Sequence, residues 1–216
     1  MKTSIIIIGA GGHAISVTNV AISNGMSVIA YVDDNKAGIE IMGTPVITKK
    51  QCFETCSNNN FAIAIGDNAE RERVRTEYFE SLPNACFPSL IHASSVIGFG
   101  TIIGDGAIVM PLVNLGPNSK IGEFCILNTI SSIDHDCTMK SYSSLAPRVA
   151  CGGNVKIGFR SAISIGATVK HGVTLGNDVV IGANSYVNKI VEDNILAYGT
   201  PCNSIRVRRK GDPYLS

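Results

Sequence analysis

The chain has 216 residues, a formal net charge of +1 and 45% hydrophobic residues. Near-neutral charge with no basic patch argues against nucleic acid or another polyanion as a partner. The longest aliphatic run, Ile5 to Ile8, falls far short of the roughly 20 residues that span a bilayer, and Gly9-Ala10-Gly11-Gly12 follows it too soon for a secretory leader. A cytoplasmic protein of one large or two small domains, with no membrane span, is expected. Seven cysteines at irregular spacing read as reduced core thiols, with no disulfide framework and no metal cluster.

In chain order, Ser4 to Ile8 is a β-branched strand, Gly9 to Ala14 a glycine-rich turn, and the residues through Ser23 a helix with Ile15, Val20 and Ala21 at helical spacing. Ser27 to Val32 predicts a second strand, which closes on Asp33-Asp34 about twenty residues after the turn, where a carboxylate reads a ribose. Thr44 to Ile47 and Phe61 to Ile65 predict further strands, the latter ending in Gly66-Asp67-Asn68, and Glu70 to Phe79 a charged helix. Strands alternating with helical stretches make residues 1–85 a small α/β unit with a parallel sheet, a half-Rossmann domain. The loose G-x-G-x-x-A match at Gly9, Gly11 and Ala14 invites a dinucleotide reading, but a dinucleotide needs two such halves. One half holds one nucleotide, with Gly11 and Gly12 admitting a phosphate to the backbone and Asp33 or Asp34 accepting from a sugar hydroxyl or base. The alternative is a tight turn with no ligand. His13 argues against it, because a bulky polar side chain there contributes little packing.

Residues 86–216 carry a different period. From Ile91 through Ile97, Ile103, Val109 and onward to Val187, every sixth residue is aliphatic or Met, with Cys151 the single exception. Small or β-branched residues such as Ala107, Ser119, Ser131, Ser143 and Ala167 recur four positions after these, and Gly often follows them directly, as at Gly98, Gly104 and Gly122. A period of six fits neither a helix nor an alternating strand. It fits a solenoid in which each hexapeptide buries one residue on the axis and turns at its Gly, three hexapeptides closing one triangular coil. Coils stack at roughly 4.8 Å, so a residue's neighbour above lies eighteen positions later. The period fades after Val187, where a cap must cover the open edge. Arg206, Arg208, Arg209 and Lys210 then form a basic tail, expected to be solvated or to meet a cofactor phosphate.

The least repeat-like hexapeptides, Leu127 to Val149, hold Asn128, Asp134, His135 and Asp136 and contain no Gly. An eighteen-residue column stacks Pro117, His135, Gly153 and His171. Gly153 over His135 predicts open space and a bare backbone N–H beside an imidazole, the base and oxyanion donor that acyl transfer requires. Asp134 or Asp136 would fix the tautomer, and adjacency in sequence does not choose between them. The bland alternative is a surface histidine without a role.

The solenoid behind a G-x-G-G-H-A turn, with Ile126-Leu127-Asn128-Thr129, Ile133-Asp134-His135-Asp136-Cys137 and Cys151-Gly152-Gly153-Asn154-Val155, resembles the bacterial sugar acetyltransferases of the sialic-acid O-acetyltransferase and nucleotide-amino-sugar N-acetyltransferase type. The resemblance covers nearly the whole chain. It implies a left-handed parallel β-helix, a homotrimer, and acetyl-CoA in the groove between neighbouring β-helices, with no metal. It implies His135 as general base, Asp136 as its acidic partner, Asn128 as a nearby positioning residue, and the Gly153 N–H on the thioester oxygen. Ile165 and Ala183 would line the CoA groove, while His13, Asp33, Asp34 and Asp67 would bind the nucleotide of the sugar. Some relatives carry a second histidine where this chain has Ser144. The expected activity is direct N-acetylation of a UDP- or dTDP-linked 4-amino-4,6-dideoxy sugar for bacterial surface glycan. O-acetylation of a sialic acid is the runner-up, and a nucleotide-sugar-binding scaffold without catalysis the alternative of another class.

Overall fold

A computed structural model of the chain describes residues 3–56, 59–209 and 212–215; Lys210 of the basic tail lies outside them. The N-terminal unit runs β1 (Ser4–Ile8), α1 (Gly12–Ser23), β2 (Ser27–Val32), β3 (Glu40–Ile41), β4 (Thr44–Ile47), α2 (Lys49–Thr55), β5 (Asn60–Ile63) and α3 (Asn68–Ser81). The sheet order is β3-β4-β2-β1-β5. Its interior strand β1 is covered on both faces, so all of Ile5 to Ile8 are buried and the strand reads as an unbroken aliphatic run. The buried stripe of α1 is Ala14, Val17 and Ala21 with Val20, and Ile15, expected on that face, is 48% exposed.

Two expectations for this unit are corrected, and one helix, α2, was missed. The sheet is mixed, because β3 and β4 form an antiparallel hairpin through Met42 and Gly43, both at positive φ. Helix α2 has little apolar periodicity to announce it and starts on a capping box, with the Thr48 hydroxyl accepting from the Gln51 N–H and the Gln51 side chain from that of Thr48. Strand β5 ends at Ile63 and α3 begins at Asn68, because Asp67 caps that helix by accepting from the Ala69 and Glu70 N–H groups at 3.0 Å.

From Leu90 onward the chain is a left-handed parallel β-helix of two-residue strands, one per hexapeptide. Strands pair in the expected register, Asn114 with Ser132, Ala150 with Ser132 and Thr168 with Ala150, each eighteen residues apart. The axial residues are buried from Val109 onward, and the small-residue column is inward as well, with Ala107, Ser119, Ser131 and Ser143 fully buried. Ser119 Oγ donates to the Asp134 carbonyl and Ser161 Oγ to the Gly176 carbonyl, which satisfies those two hydroxyls inside, while Ser131 Oγ is buried with no partner among the described residues.

The glycines after the axial residues serve another purpose than the expected turn. Positive φ falls three positions after the axial residue, at Leu112, Asn118, Phe124, Ile130, Asp136 and Tyr142 among others. At Gly98, Gly104, Gly116 and Gly122 a Cβ would instead stand 2.5–2.7 Å from the backbone of the next coil. Close stacking of coils, rather than left-handed backbone, requires glycine there.

The α/β unit docks on one edge of the β-helix. Phe61, Phe87, Phe124, Tyr142 and Phe159 form a ladder with ring centroids 5.4–5.8 Å apart. Beside it Arg71 is 1% exposed. Its guanidinium donates to the carbonyls of Phe124, Ile65, Gly66 and Tyr142 and to Asn68 Oδ1, a full set of partners without a carboxylate. At the far end, Ile195–Tyr198 and Asn203–Val207 extend the eight-stranded face and cap the coil. The basic tail is not uniformly solvated: Arg208 is 7% exposed and donates to the Asp178 carbonyl at 2.9 Å.

Candidate active site

His135 stands at the corner that follows Ser132–Ile133, and its side chain is half exposed. Asp136 occupies the left-handed position of that corner (φ 57), a conformation Asp adopts more readily than most residues. Its Oδ2 lies 2.7 Å from His135 Nδ1. The other candidate, Asp134, is occupied elsewhere, its Oδ1 accepting from the His135 backbone N–H at 2.8 Å. The choice left open by the sequence therefore falls on Asp136, which fixes the tautomer that leaves Nε2 available. The Asp136 hydrogen bond, with the charge of Asp134 behind it, raises the imidazole's pKa, and the same bond lowers that of Asp136.

Nε2 points at Gly153. A Cβ on Gly153 would sit 2.6 Å from Nε2 and 2.7 Å from Cε1, so the space expected beside the base is filled by the ring itself. The flanking amides are committed: Gly152 donates to the Val169 carbonyl and Asn154 to the His135 carbonyl, while the Gly153 carbonyl accepts from Gly172. His135, Gly153, Asn154 and His171 line one open cavity of about 420 Å³. The arrangement is a carboxylate, an oriented base and an adjacent backbone donor, suited to moving a proton off an attacking atom.

A second cavity, about 530 Å³, lies against the eight-stranded face. It is lined by His13 from the glycine-rich turn, by Asn128, Ser144, Ile165 and Ala183 from the β-helix, and by Tyr214 and Leu215. Within one chain Asn128 is thus not beside His135: it follows the preceding corner, and its Oδ1 accepts from the Thr129 N–H. His13 is opposite in character to His135. Its Nε2 is buried with no partner among the described residues, and burial, with Arg71 nearby, holds the imidazole down at about 4.

At the turn itself, a Cβ on Gly11 or Gly12 would meet nothing within 4 Å, so the backbone is open to a ligand there. Asp33 Oδ2 accepts from the Ala10 N–H at 3.3 Å and holds the turn against β2. Asp34 accepts from the Lys49 N–H, and Asp67 caps α3, so both carry structural duties besides any contact with a nucleotide. Sequence reasoning missed Lys36, whose Nζ donates to the Ala10 carbonyl at 2.8 Å and brings a cation to the turn. Its signal was its place two residues after the Asp33-Asp34 pair. It also missed Tyr214, for which the sequence offers no signal.

Residues 4–78 match the family described as PglD N-terminal domain, and 154–189 match bacterial transferase hexapeptide (six repeats). GDP-perosamine N-acetyltransferase of Escherichia coli O157:H7 is 34% identical over 72% of this chain and 69% of its own length. The solved structure of PerB from Caulobacter crescentus, in complex with CoA and GDP-perosamine, superposes with a TM-score of 0.88 at 32% identity, covering 94% of this chain and 97% of that one. The acetyltransferase domain of PglB from Neisseria gonorrhoeae, in complex with acetyl coenzyme A, gives 0.88 at 26% identity, covering 95% and 100%. With its α/β domain, its left-handed β-helix and its oriented histidine, the chain belongs to the family of acetyl-CoA-dependent hexapeptide sugar N-acetyltransferases with a PglD-type N-terminal domain.

Proposed function

We propose that the chain transfers an acetyl group from acetyl-CoA to the amino group of a nucleotide-linked 4-amino-4,6-dideoxy sugar, in the cytoplasm and for bacterial surface glycan. The observation that carries this reading is the Asp136–His135–Gly153 alignment at one corner of the β-helix. The amine nitrogen attacks the thioester carbonyl, and His135 Nε2 takes the proton that nitrogen loses. The Gly153 N–H binds the oxyanion. Collapse of the tetrahedral species breaks the C–S bond, and the imidazolium returns its proton to the departing sulfur, giving the amide and CoA. Transfer is direct, because Cys137 and Cys151 face inward and are buried, and burial raises both thiols' pKa values.

The nucleotide binds at Gly11, Gly12 and His13, with Asp33 and Asp34 toward the sugar hydroxyls or base and Lys36 toward the phosphates. The Escherichia coli relative and PerB both take GDP-perosamine, so GDP-linked sugars join the UDP- and dTDP-linked ones expected from the resemblance. The chain works as a homotrimer. His135 stands at one corner of the triangular coil and the cavity with Asn128, Ile165 and Ala183 runs along the preceding corner over several coils, and cyclic packing brings one chain's base to a neighbour's cavity.

Thiol release from acetyl-CoA against a panel of GDP-, UDP- and dTDP-linked amino sugars and free sialic acid tests the reading. Turnover with an amino sugar supports it, and turnover only with sialic acid overturns it in favour of O-acetylation. Asp33→Ala is expected to raise the sugar's KM and leave that of acetyl-CoA unchanged; the reverse pattern would give the glycine-rich turn to the acetyl donor.

A further inference from the structure

The described C-terminal residues, 212–215, return across the molecule to the cavity that His13 lines. Asp212 is held from two sides, by Arg206 Nη1 at 2.9 Å and by the Arg209 N–H at 3.1 Å. Arg208 packs its guanidinium 5.6 Å from the Tyr214 ring centroid. The Tyr214 hydroxyl accepts from the Asn68 N–H at 2.9 Å and reaches the Gly66 carbonyl at 3.3 Å, contacts that span 146 residues of sequence or more. Leu215 Cδ1 lies 3.1 Å from where a Gly66 Cβ would stand, so the loop after β5 has a glycine under the tail. Burial raises the Tyr214 phenol's pKa further above neutral, and the Ser144 hydroxyl lies beside it.

The cavity has two ends. One is His13 at the glycine-rich turn, the other Ile165 and Ala183 on the β-helix. A nucleotide-linked sugar anchored at the turn must place its pyranose ring between those ends, and there the walls are the Ile126 and Ala162 side of the β-helix and, facing it, Tyr214 and Leu215. Resting on the acetyltransferase reading above, we propose that Tyr214 and Leu215 form the wall against which the acceptor's pyranose ring is held, with Tyr214 a positioning residue for that ring. The tail is then part of the acceptor site, and the ring it fits is one whose apolar edge can face an aromatic and an aliphatic side chain, as a deoxy sugar's does.

The test compares Tyr214→Ala, Tyr214→Phe and Leu215→Ala with the wild type in the full chain. For the amino sugar that the wild type acetylates, KM is expected to rise about tenfold in Tyr214→Ala, the size of a lost aromatic packing contact against the sugar ring. Tyr214→Phe keeps the ring and should lose less. The affinity for the free nucleoside diphosphate, measured by calorimetry, and the KM for acetyl-CoA should stay at wild-type values, which a general loosening of the fold would not allow. Melting temperatures within a few degrees of wild type identify the variants as folded. An unchanged sugar KM, or a rise confined to acetyl-CoA, overturns the proposal. A wild type that acetylates no amino sugar sinks the acetyltransferase reading, while the ratio of nucleotide-sugar to nucleotide affinity still reports the wall: a fall only in the Tyr214 and Leu215 variants upholds it and an unchanged ratio refutes it. A chain that binds none of the nucleotide sugars refutes both.

Discussion

His135 and His13 each face a cavity, and their surroundings push the two imidazoles in opposite directions. His135 is half exposed, its Nδ1 on the Asp136 carboxylate, and its pKa is raised. His13 sits at the start of α1 near the Arg71 guanidinium, its Nε2 without a partner among the described residues, and burial holds it down at about 4. One is built to take a proton and keep a charge in front of solvent; the other stays neutral near pH 7 and offers a lone pair or a single N–H to whatever enters its cavity. The same residue type thus divides the labour of transfer by environment alone. In the proposed reaction, proton removal belongs to the β-helix corner and acceptor placement to the cavity that His13 lines.

The largest expected effect tests the exposed member. His135→Ala should lower turnover by about 10²–10⁴-fold, the usual span of a general base, with the melting temperature near wild type because the side chain lies outside the axial stack. His171→Ala is the control. His171 lines the same cavity and lies eighteen residues above Gly153, yet no carboxylate is hydrogen-bonded to it among the described residues, so its loss should leave kcat close to wild type. A dead His171→Ala with an active His135→Ala would move the base up the solenoid. Next comes Gly153→Ala. The added methyl meets the imidazole at 2.6–2.7 Å, so the ring must swing away. A displacement on the order of 1 Å can cost about 10²-fold. Single-turnover kinetics with normal acetyl-CoA affinity would identify that loss as chemistry.

Asp136→Asn acts through the pKa. The carboxylate raises the imidazole's pKa, and its removal lets that pKa fall. The base is active when neutral, so the acidic limb of the kcat/KM profile should move to lower pH, while the plateau drops because the tautomer is no longer fixed. A limb that stays where it was would show that Asp136 does not govern the protonation of the base.

The contrast between the two cavities also marks what could be read from sequence. The His135 corner was legible because everything in it is local or separated by one coil. Six-residue counting sets the strands, eighteen-residue stacking puts Gly153 over His135, and the register of Ser132 on Asn114 and Ala150 bears this out. The glycine-rich turn was legible for the same reason, lying between a strand and a helix of its own. What failed was long-range. Arg71 looked like one charge on a polar helix, and only docking onto Phe124 and Tyr142 buries it. Asn128, which the resemblance implied near His135, lines the other cavity within one chain, and its role there is left to the proposed trimer. Arg208 was read as tail and Tyr214 was missed, because contacts such as that of Tyr214 with Asn68 leave no trace in local composition. The turn glycines failed differently: the residue type was right, and the cause was close stacking of coils rather than left-handed backbone.

The smallest effect tests the buried member through stability. In the unfolded chain His13 titrates near 6.5, and in the folded chain at about 4. Its pKa is depressed by folding, so its contribution is fully favourable above 6.5, where both states are neutral. It is lost as pH falls from 6.5 toward 4, where the unfolded chain binds a proton that the folded chain refuses. Between pH 7 and 5.5 this amounts to about 1 kcal/mol, roughly 2–4 °C in Tm for a chain of this size. His13→Gln keeps a polar group of similar reach and cannot titrate. The variant should therefore lose about that much less Tm than the wild type over the same interval, measured by calorimetry without ligand. An identical pH dependence in the two proteins would mean that His13 titrates alike in the folded and unfolded chains, and the depressed pKa of the buried imidazole would have to be given up.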